Sequence, residues 1–446
     1  MDTIYAPLTI KGKCSVFVIR ISGTKTKLCL ETLGVKKDLV PRKATVCTLK
    51  DLDGSDLDEA MLIYFQAPHS FTGEDVCELN LHCSTYIINR VFSILNSIDG
   101  VRLADHGEYS RRAFYNGRLD LTQAESIVDL VNSETELQHR QAIEQLKGKN
   151  SKFFTGLREK IVAILSNIQA FIDFPEDDID KTIVENIENK INEIKNEINI
   201  DLNDNRVGEI VKDGLHISII GEPNAGKSSL LNYLARKDIA IVSDIAGTTR
   251  DIIEVSLDIK GLPVIISDTA GIRETENKIE EEGIRRALNN AKNADLKILI
   301  IDVNNQKINN QLLSLVDEKT IVVLNKIDLY KDNLDLNLIK ERFKKVYDII
   351  DISVQNEQNL DKLINILEEF ISQNITPFAN TNITQERYRK ELKKCVEYLD
   401  AVDFDSPIEI VAENIRLASF CIGKITGQIN TEEILDNIFS KFCIGK

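Results

Sequence analysis

The sequence predicts a multidomain chain in which a doubly wound α/β domain is inserted into an all-helical domain, after an N-terminal α+β domain. Short β-type runs and one helix fill the chain up to about residue 118, and apolar residues then recur at helical spacing. Strands alternate with helices from about Leu215, and the chain returns to helix after about Thr376. We therefore predict domain segments 1–118, 119–214, 215–375 and 376–446, with the second and fourth packing together as one helical domain.

The N-terminal domain is predicted from β-type runs at Ser15–Ile21, Ala60–Gln66 and Val76–His82, and from a helix at Thr85–Ile98. Helical character then begins at Leu121 and continues to about residue 174, where a proline and an acidic run end it. The next helix has isoleucines at spacings of 4, 4, 3 and 4, which predict a helix-bundle seam: Ile183, Ile187, Ile191, Ile194 and Ile198. Three helices are predicted near the C-terminal end: Glu386–Leu399, Ile408–Phe420 and Glu432–Phe442.

The α/β domain contains a phosphate-binding loop. Its strands are predicted to begin near His216, Glu254, Leu262, Leu296, Thr320 and Tyr347. Residues 221–228 read Gly-Glu-Pro-Asn-Ala-Gly-Lys-Ser, between the first strand and a helix. In such a loop backbone N–H groups surround the phosphates, Lys227 reaches the β- and γ-phosphate oxygens, and Ser228 binds Mg²⁺.

Two later motifs narrow the nucleotide to GTP. Asp268-Thr269-Ala270-Gly271 and Asn325-Lys326-Ile327-Asp328 each follow an apolar strand. The carboxylate of Asp328 can accept hydrogen bonds from N1–H and N2–H₂ of guanine, a donor pair that adenine lacks. Ser353, after the last strand, is expected in a second base-contacting loop. The residues that we expect to contact GTP are Asn224, Ala225, Gly226, Lys227, Ser228, Ser229, Ser243, Asp244, Ile245, Ala246, Gly247, Thr248, Thr249, Asp268, Thr269, Ala270, Gly271, Asn325, Lys326, Asp328 and Ser353.

A mobile switch loop is predicted at residues 243–251, where Thr249 is expected to bind Mg²⁺ and sense the γ-phosphate. Ile272 follows Gly271 at the place where many small GTPases have a glutamine that orients water. The water-positioning group must therefore come from elsewhere, and residues 273–280 offer candidates. Asn224 could hold a monovalent cation near the β/γ-phosphate bridge, in the role of an arginine finger.

Composition excludes several classes of protein. No apolar run approaches the roughly 18 residues of a membrane span, and the N-terminus lacks a secretory-signal pattern. The eight cysteines contain no C-x-x-C pair, which indicates reduced thiols in the cytoplasm. The net charge of −16 does not suggest a protein that coats nucleic acid, but it is compatible with an RNA substrate.

Over essentially its full length the chain resembles the MnmE (TrmE) family, GTPases of tRNA wobble-uridine modification. The resemblance depends on Arg20-Ile21-Ser22-Gly23, on the segments 71–76 and 107–125, and on the terminal Phe442-Cys443-Ile444-Gly445-Lys446. It implies an N-terminal α+β folate-binding and dimerisation domain, and a helical bundle interrupted by a Ras-like P-loop GTPase domain. K⁺ and face-to-face dimerisation would activate hydrolysis.

The resemblance also implies cofactors and partners. The chain would form a homodimer and join an MnmG-like flavoprotein in a heterotetramer, with FAD and NADH on that partner. A tetrahydrofolate derivative, in the 5-formyl or methylene form, would supply one carbon. Together the two proteins would install a carboxymethylaminomethyl or aminomethyl group at carbon 5 of the wobble uridine of certain tRNAs, without a membrane.

Several site residues are implied by position in the family's motifs. Glu280 matches a glutamate that orients water. Folate contacts would be Arg20, Glu78, Arg118 and Lys446. Mg²⁺ ligands would be Ser228 and Thr249, and K⁺ ligands would be Asn224, Ser243, Ile245 and Thr248.

The resemblance also bears on two cysteines and on the loop at residues 8–15. Cys443 is predicted to act chemically, as a thiolate in transfer to the uracil ring, with a packed C-terminal cysteine as the alternative. Cys421, in an internal copy of the terminal pentapeptide, is expected to be a small buried residue. Residues 8–15 lack most of the glycines that the family has there, which leaves a GTPase with weakened folate binding as one alternative.

Two other functions stay open at this point. One is a GTPase switch in ribosome assembly, a class that would carry an RNA-binding appendage after the GTPase domain. The other is a folate-binding scaffold that has lost GTP hydrolysis, which the intact Lys227, Ser228, Thr249, Asp268 and Glu280 argue against.

Overall fold

The structure, a computed structural model, describes residues 2–9, 14–173, 181–204, 206–237, 239–241, 254–268, 290–305, 308–329, 341–343, 345–375, 381–429 and 432–445. These residues form two compact units. One consists of Met1–Val131, Glu144–Ile194 and Lys394–Lys446, and the other of Asn132–Ile143 and Lys195–Lys393. Within the described residues no helix is long and apolar enough to cross a membrane.

The first unit begins with a six-stranded sheet. In chain order its elements are β1 (Thr3–Pro7), β2 (Val16–Ser22), α1 (Thr26–Thr32), β3 (Thr45–Lys50), β4 (Asp56–Phe65), β5 (Val76–His82), α2 (Thr85–Asn96), β6 (Val101–Leu103) and α3 (Glu108–Tyr115). The strand order is β3-β4-β5-β2-β1-β6, antiparallel except between β1 and β6. Alternate residues of β4, such as Ala60 and Leu62, face a core that also contains Leu30 of α1 and Val91 of α2. The three predicted strands and the predicted helix are confirmed.

In the described part of the chain, seven helices follow the α+β part or lie at the C-terminal end. They are α4 (Leu121–Val131), α5 (Glu136–Leu146), α6 (Lys149–Asp173), α7 (Lys181–Leu202), α12 (Glu386–Asp400), α13 (Ile408–Thr426) and α14 (Glu432–Phe439). In the first unit α6 packs along α13, and α6 buries Leu157, Ile161, Ile164 and Ile168 at helical spacing. The long helical stretch predicted from residue 121 to 174 is thus three helices. A break comes at Gly148, whose φ of +88° is left-handed.

Three details of the helical prediction are wrong. The helix predicted at Ile408–Phe420 continues to Thr426. Ile187, Ile191, Ile194 and Ile198 are buried, but Ile183 is 40% exposed because it lies in the first turn of α7. The last helix ends at Phe439 rather than at residue 442.

The second unit contains the α/β sheet. Its elements are α8 (Val207–Asp213), β7 (Leu215–Gly221), α9 (Lys227–Leu234), β8 (Glu254–Ile259), β9 (Leu262–Asp268), β10 (Leu296–Asp302), α10 (Asn310–Leu313), β11 (Thr320–Asn325), β12 (Asp348–Asp351) and α11 (Leu360–Asn374). The order is β12-β11-β10-β7-β9-β8, parallel except for the β8–β9 hairpin. Every residue of β11 is buried, as expected for a parallel strand covered on both faces. All six predicted strands are confirmed.

Several hydrogen bonds fix the two ends of the α/β segment to each other, and the buried Arg389 makes three of them. Arg389, at the start of α12, donates to the carboxylates of Asp204 (2.6 Å) and Glu209 (2.9 Å) and to the carbonyl of Leu202 (2.7 Å). These partners lie beside α8, immediately before β7. A buried guanidinium with several acceptors is well compensated, so the contact closes the segment at its base.

Candidate nucleotide-binding site

The phosphate-binding loop connects β7 with α9 at a topological switch point of the sheet. Strand β7 lies between β10 and β9; the chain runs from β7 to β8 and β9 on one side and then from β9 across to β10 on the other, so the strand order reverses here, which is where α/β proteins bind ligands. Gly226 has a φ of +107°, and a Cβ there would be 2.2 Å from Nδ2 of Asn325. A Cβ at Gly221 would be 2.4 Å from the carbonyl oxygen of Ile300. Both glycines are therefore required by close approach of neighbouring groups.

Lys227 lies over this loop. Its Nζ donates to the carbonyl oxygens of Gly221 (2.8 Å) and Glu222 (2.9 Å), and the residue is 6% exposed. Burial lowers the pKa of this ammonium, and the negative charges of Asp268 and Glu222 oppose the shift. A desolvated cation held against the loop attracts phosphate oxygens more strongly than one in water would.

Ser228 and Asp268 form the part of the site that suits Mg²⁺. The Ser228 hydroxyl, in the first turn of α9, donates to Oδ2 of Asp268 at 2.8 Å, and Asp268 is 2% exposed at the end of β9. Among the described residues no group of three or more His, Cys, Asp or Glu could hold a metal. One hydroxyl and one carboxylate fit Mg²⁺, which keeps several waters and takes phosphate oxygens as further ligands.

The base-recognition residues meet beside Asp328. The Ser353 hydroxyl, fully buried, donates to Oδ1 of Asp328 at 2.5 Å and accepts from the backbone N–H of Asn356 at 3.1 Å. Asp328 itself is exposed in the short 3₁₀ turn Ile327–Leu329. The Ser353 hydrogen bond fixes one oxygen of this exposed carboxylate, which can accept hydrogen bonds from a guanine edge.

Asn325 connects the two halves of the site. Its Nδ2 donates to the carbonyl of Ala225 at 2.8 Å, and its Oδ1 accepts from the N–H of Val354 at 3.2 Å. The phosphate loop and the loop after β12 are thus held by one side chain. An open cavity of about 800 Å³ lies here, lined among others by Gly226, Ser229, Tyr233, Asn325, Lys326 and Asp328.

Asp302 is a site residue that sequence reasoning missed. It ends β10, and its Oδ2 accepts from Nζ of Lys326 at 2.7 Å. Burial raises the pKa of the Asp302 carboxyl, but the hydrogen bonds from Lys326 and from the N–H of Asn304 outweigh it and hold the pKa below its usual value. The sequence contained a signal for this role, because Asp302 ends an apolar parallel strand in the same way as Asp268 does.

Several expected site residues lie outside the described part of the chain. Asn224 is described, exposed on the loop with a φ of +62°. The undescribed ones are Ser243, Asp244, Ile245, Ala246, Gly247, Thr248, Thr249, Thr269, Ala270, Gly271, Glu280 and Lys446.

The N-terminal sheet brings Arg20 and Glu78 together. They are opposite each other on β2 and β5, with Arg20 Nη2 2.7 Å from Glu78 Oε1. The Arg20 guanidinium also lies over the rings of Phe71 (5.2 Å) and Tyr109 (5.5 Å). Arg118 is exposed beyond α3, and its side chain lies beside Gly73.

A buried arginine joins the N-terminal motifs. The Arg112 side chain, 6% exposed, contacts Glu74 (3.2 Å), Glu108 (2.8 Å) and Asp2 (2.9 Å). Glu74 also accepts from the Ser22 hydroxyl at 2.6 Å. The segments around residues 20–23, 71–76 and 107–114 therefore form one hydrogen-bonded cluster.

The C-terminal tail packs against the same domain. Nδ1 of His106 is 2.9 Å from the carbonyl oxygen of Phe442, and a Cβ at Gly445 would be 2.2 Å from the carbonyl oxygen of Pro7. Cys443 is exposed on this tail, whereas Cys421 is 3% exposed in α13, so the expectation of a buried Cys421 is confirmed.

A phosphate loop, a serine–aspartate pair for Mg²⁺ and an Asn-Lys-x-Asp base motif on a parallel sheet define a P-loop protein that binds guanine nucleotides.

Comparison with known proteins agrees with this class. Family models match at residues 3–118 (GTP-binding protein TrmE N-terminus) and 121–443 (MnmE helical domain). The tRNA modification GTPases MnmE of Rickettsia bellii (strain OSU 85-389) and Ehrlichia chaffeensis are 45% and 43% identical, each over 100% of both chains. The chain belongs to the MnmE family of tRNA modification GTPases.

Parts of the chain also match solved structures. The chain matches a crystal structure of Aquifex aeolicus Era with 27% identity over 41% of this chain and 66% of that one, at a TM-score of 0.29. The G domain of the T. maritima FeoB transporter matches with 24% identity over 35% of this chain and 99% of that one, at a TM-score of 0.28.

Replacing Asp328 with asparagine should change the base preference. The amide loses the charge-assisted hydrogen bonds to guanine, which are worth roughly 1.5–3 kcal/mol, so GDP affinity should fall at least about tenfold. Its NH₂ can donate to the C2 carbonyl of xanthine, so affinity for xanthosine diphosphate should rise. Titration of fluorescent GDP and xanthosine diphosphate measures both.

Glu357→Gln is the matched control, because it makes the same chemical change at another residue lining the cavity. It should leave the preference for guanine intact. Equal affinities of wild type and Asp328→Asn for GDP would show that this carboxylate does not read the base.

Proposed function

We propose that the chain is a GTP-hydrolysing enzyme that takes part in modification of the wobble uridine of certain tRNAs. The match to tRNA modification GTPases along the entire length of both chains carries this proposal. A similarity confined to the nucleotide site would support GTP binding alone. Here the N-terminal domain and the helical domain match as well, so a shared overall task is supported.

In the proposed hydrolysis mechanism, Lys227 and the loop N–H groups hold the β- and γ-phosphates, while Ser228 and Thr249 bind Mg²⁺. The buried Asp268 beside Ser228 supports the Mg²⁺ site. Glu280 orients the attacking water, since Ile272 cannot do so. When bound by Ser228 and Thr249, Mg²⁺ would supply positive charge close to the phosphoryl oxygens.

A K⁺ ion would supply further positive charge, held by Asn224, Ser243, Ile245 and Thr248. The exposed position of Asn224 on the phosphate loop, three residues before Lys227, supports this assignment. Activation by dimerisation of the GTPase domain belongs to the same proposal.

We also propose that the N-terminal domain binds a tetrahydrofolate derivative, in the 5-formyl or methylene form, through Arg20, Glu78, Arg118 and Lys446. Support comes from the pairing of Arg20 with Glu78 on neighbouring strands, which places a cation and a carboxylate side by side. The carboxylate can accept hydrogen bonds from the N–H edge of a pterin, and a cation can pair with the glutamyl carboxylate of the folate.

The proposed assembly is a homodimer that joins an MnmG-like flavoprotein, which holds FAD and NADH, in a cytoplasmic heterotetramer. Cys443 would present its thiol to the tRNA base, and its exposure is compatible with that role. We propose that the N-terminal domain comprises residues 1–118, the GTPase domain residues 215–375, and the helical domain residues 119–214 and 376–446.

Restoration of the modified base tests the function. In a bacterium lacking its own protein of this family, the chain should restore 5-substituted wobble uridine, measured by mass spectrometry of tRNA nucleosides. Lys227→Ala should not, because it removes the cation that binds the phosphates. Lys390→Ala is the control, a lysine 66% exposed on α12. Active GTP hydrolysis without restored uridine would contradict the proposal and favour a GTPase of another pathway.

Turnover in different salts tests the cation mechanism. GTP hydrolysis should be faster in K⁺ than in Na⁺, and Asn224→Ala should remove roughly 100-fold of the K⁺-stimulated rate, as loss of one group that stabilises the transition state commonly does. Asn310→Ala, at the exposed start of α10, is the control. Equal rates of GTP hydrolysis in K⁺ and Na⁺ would contradict the cation mechanism.

A further inference from the structure

Two cysteine thiols meet near the start of β2. The sulfur atoms of Cys14 and Cys83 are 2.7 Å apart, with Cys14 as the hydrogen-bond donor. Cys14 is exposed and Cys83 is half-buried, so reagents in solution can reach the pair.

Regular backbone holds the two residues together. Val16 and His82 are opposite each other at the ends of β2 and β5, and the N–H of Cys83 donates to the carbonyl of Ser15 at 3.4 Å. His82 is fixed in turn by Asp58, which accepts from its N–H at 3.0 Å and contacts its ring Nδ1 at 2.7 Å. The proximity of the thiols follows from strand register, not from a chance meeting of flexible side chains.

The other cysteines of the chain, all of which are described, differ from this pair. Cys29 and Cys77 are buried in the core of the sheet, and burial raises the pKa of the Cys29 thiol to about 11. Cys395 and Cys421 are buried among helices. Cys443 is exposed, and no second cysteine is recorded beside it in the described part of the chain. Accessible thiols in contact are thus found at Cys14 and Cys83.

We propose that Cys14 and Cys83 are a modification site, a thiol pair that a low-molecular-weight disulfide such as oxidised glutathione converts into an intrachain disulfide. One thiolate attacks a sulfur of the reagent, whose S–S bond breaks and releases one glutathione. The second thiolate then attacks the mixed disulfide and releases the other glutathione. The two electrons and two protons of the thiols pass to the two glutathione molecules.

The bond would attach the connection between β1 and β2 to the end of β5. That connection is already hydrogen-bonded at its other end, where the N–H of Leu8 donates to the carbonyl of Val18 (2.8 Å) and the Thr9 hydroxyl accepts from the N–H of Val18 (3.1 Å). Pro7, just before it, contacts Gly445 of the C-terminal tail. Oxidation would therefore fix Cys14, just before β2, to the residue that follows β5.

Peptide mapping of the full chain tests this proposal. The purified protein is treated with oxidised glutathione, alkylated, digested without reductant and analysed by mass spectrometry. We expect a cross-linked peptide pair containing Cys14 and Cys83, without glutathione on either, that dithiothreitol separates. Cys443 should instead gain a glutathionyl group, which shows that the reagent was active.

Three variants sharpen the result. In Cys14→Ser or Cys83→Ser the remaining thiol should gain a glutathionyl group, because no second thiol can resolve the mixed disulfide. Cys47→Ser, at a half-buried cysteine of β3, should still form the cross-link. Wild-type protein that carries glutathione on Cys14, keeps both thiols open to alkylation while Cys443 is modified, or links two chains would overturn the proposal.

Discussion

The side chain of Asn325 is the contact on which the nucleotide site depends. It joins the carbonyl of Ala225 in the phosphate loop to the N–H of Val354 in the base loop, two segments far apart in sequence. Its amide also fills the space that any side chain at Gly226 would need. Buried amides that satisfy both partners rigidify their surroundings, so phosphate and base recognition share one geometry.

Buried charged side chains with partners close by occur in both units. Lys227 and Asp268 are nearly inaccessible at the nucleotide site, and each has partners close by. Arg389 closes the base of the α/β segment, and Arg112 gathers the acidic residues of the N-terminal motifs. Removing one acidic partner of either arginine would leave a buried charge uncompensated, which is strongly destabilising.

Features encoded locally in the sequence could be predicted, whereas contacts between residues far apart in the sequence could not. Parallel strands such as Thr320–Asn325 are apolar runs, and the phosphate loop has a fixed spacing, so both could be predicted. The pairing of Asp302 with Lys326 could not be, since it depends on adjacent strand ends brought together by the fold. The meeting of Cys14 with Cys83 depends on strand register in the same way. The predicted roles of residues outside the described part stay predictions.

Substitution of Gly226 by alanine tests the central claim, that close contact between the phosphate loop and Asn325 shapes the site. The added Cβ would lie 2.2 Å from the Asn325 amide, so GDP affinity should fall roughly 100-fold, the equivalent of about 2.7 kcal/mol, while circular dichroism shows a folded chain. Gly54→Ala is the matched control, a glycine with a φ of +87° and no atom within 4 Å of the added Cβ. Unchanged GDP affinity in Gly226→Ala, measured by calorimetry, would contradict the account.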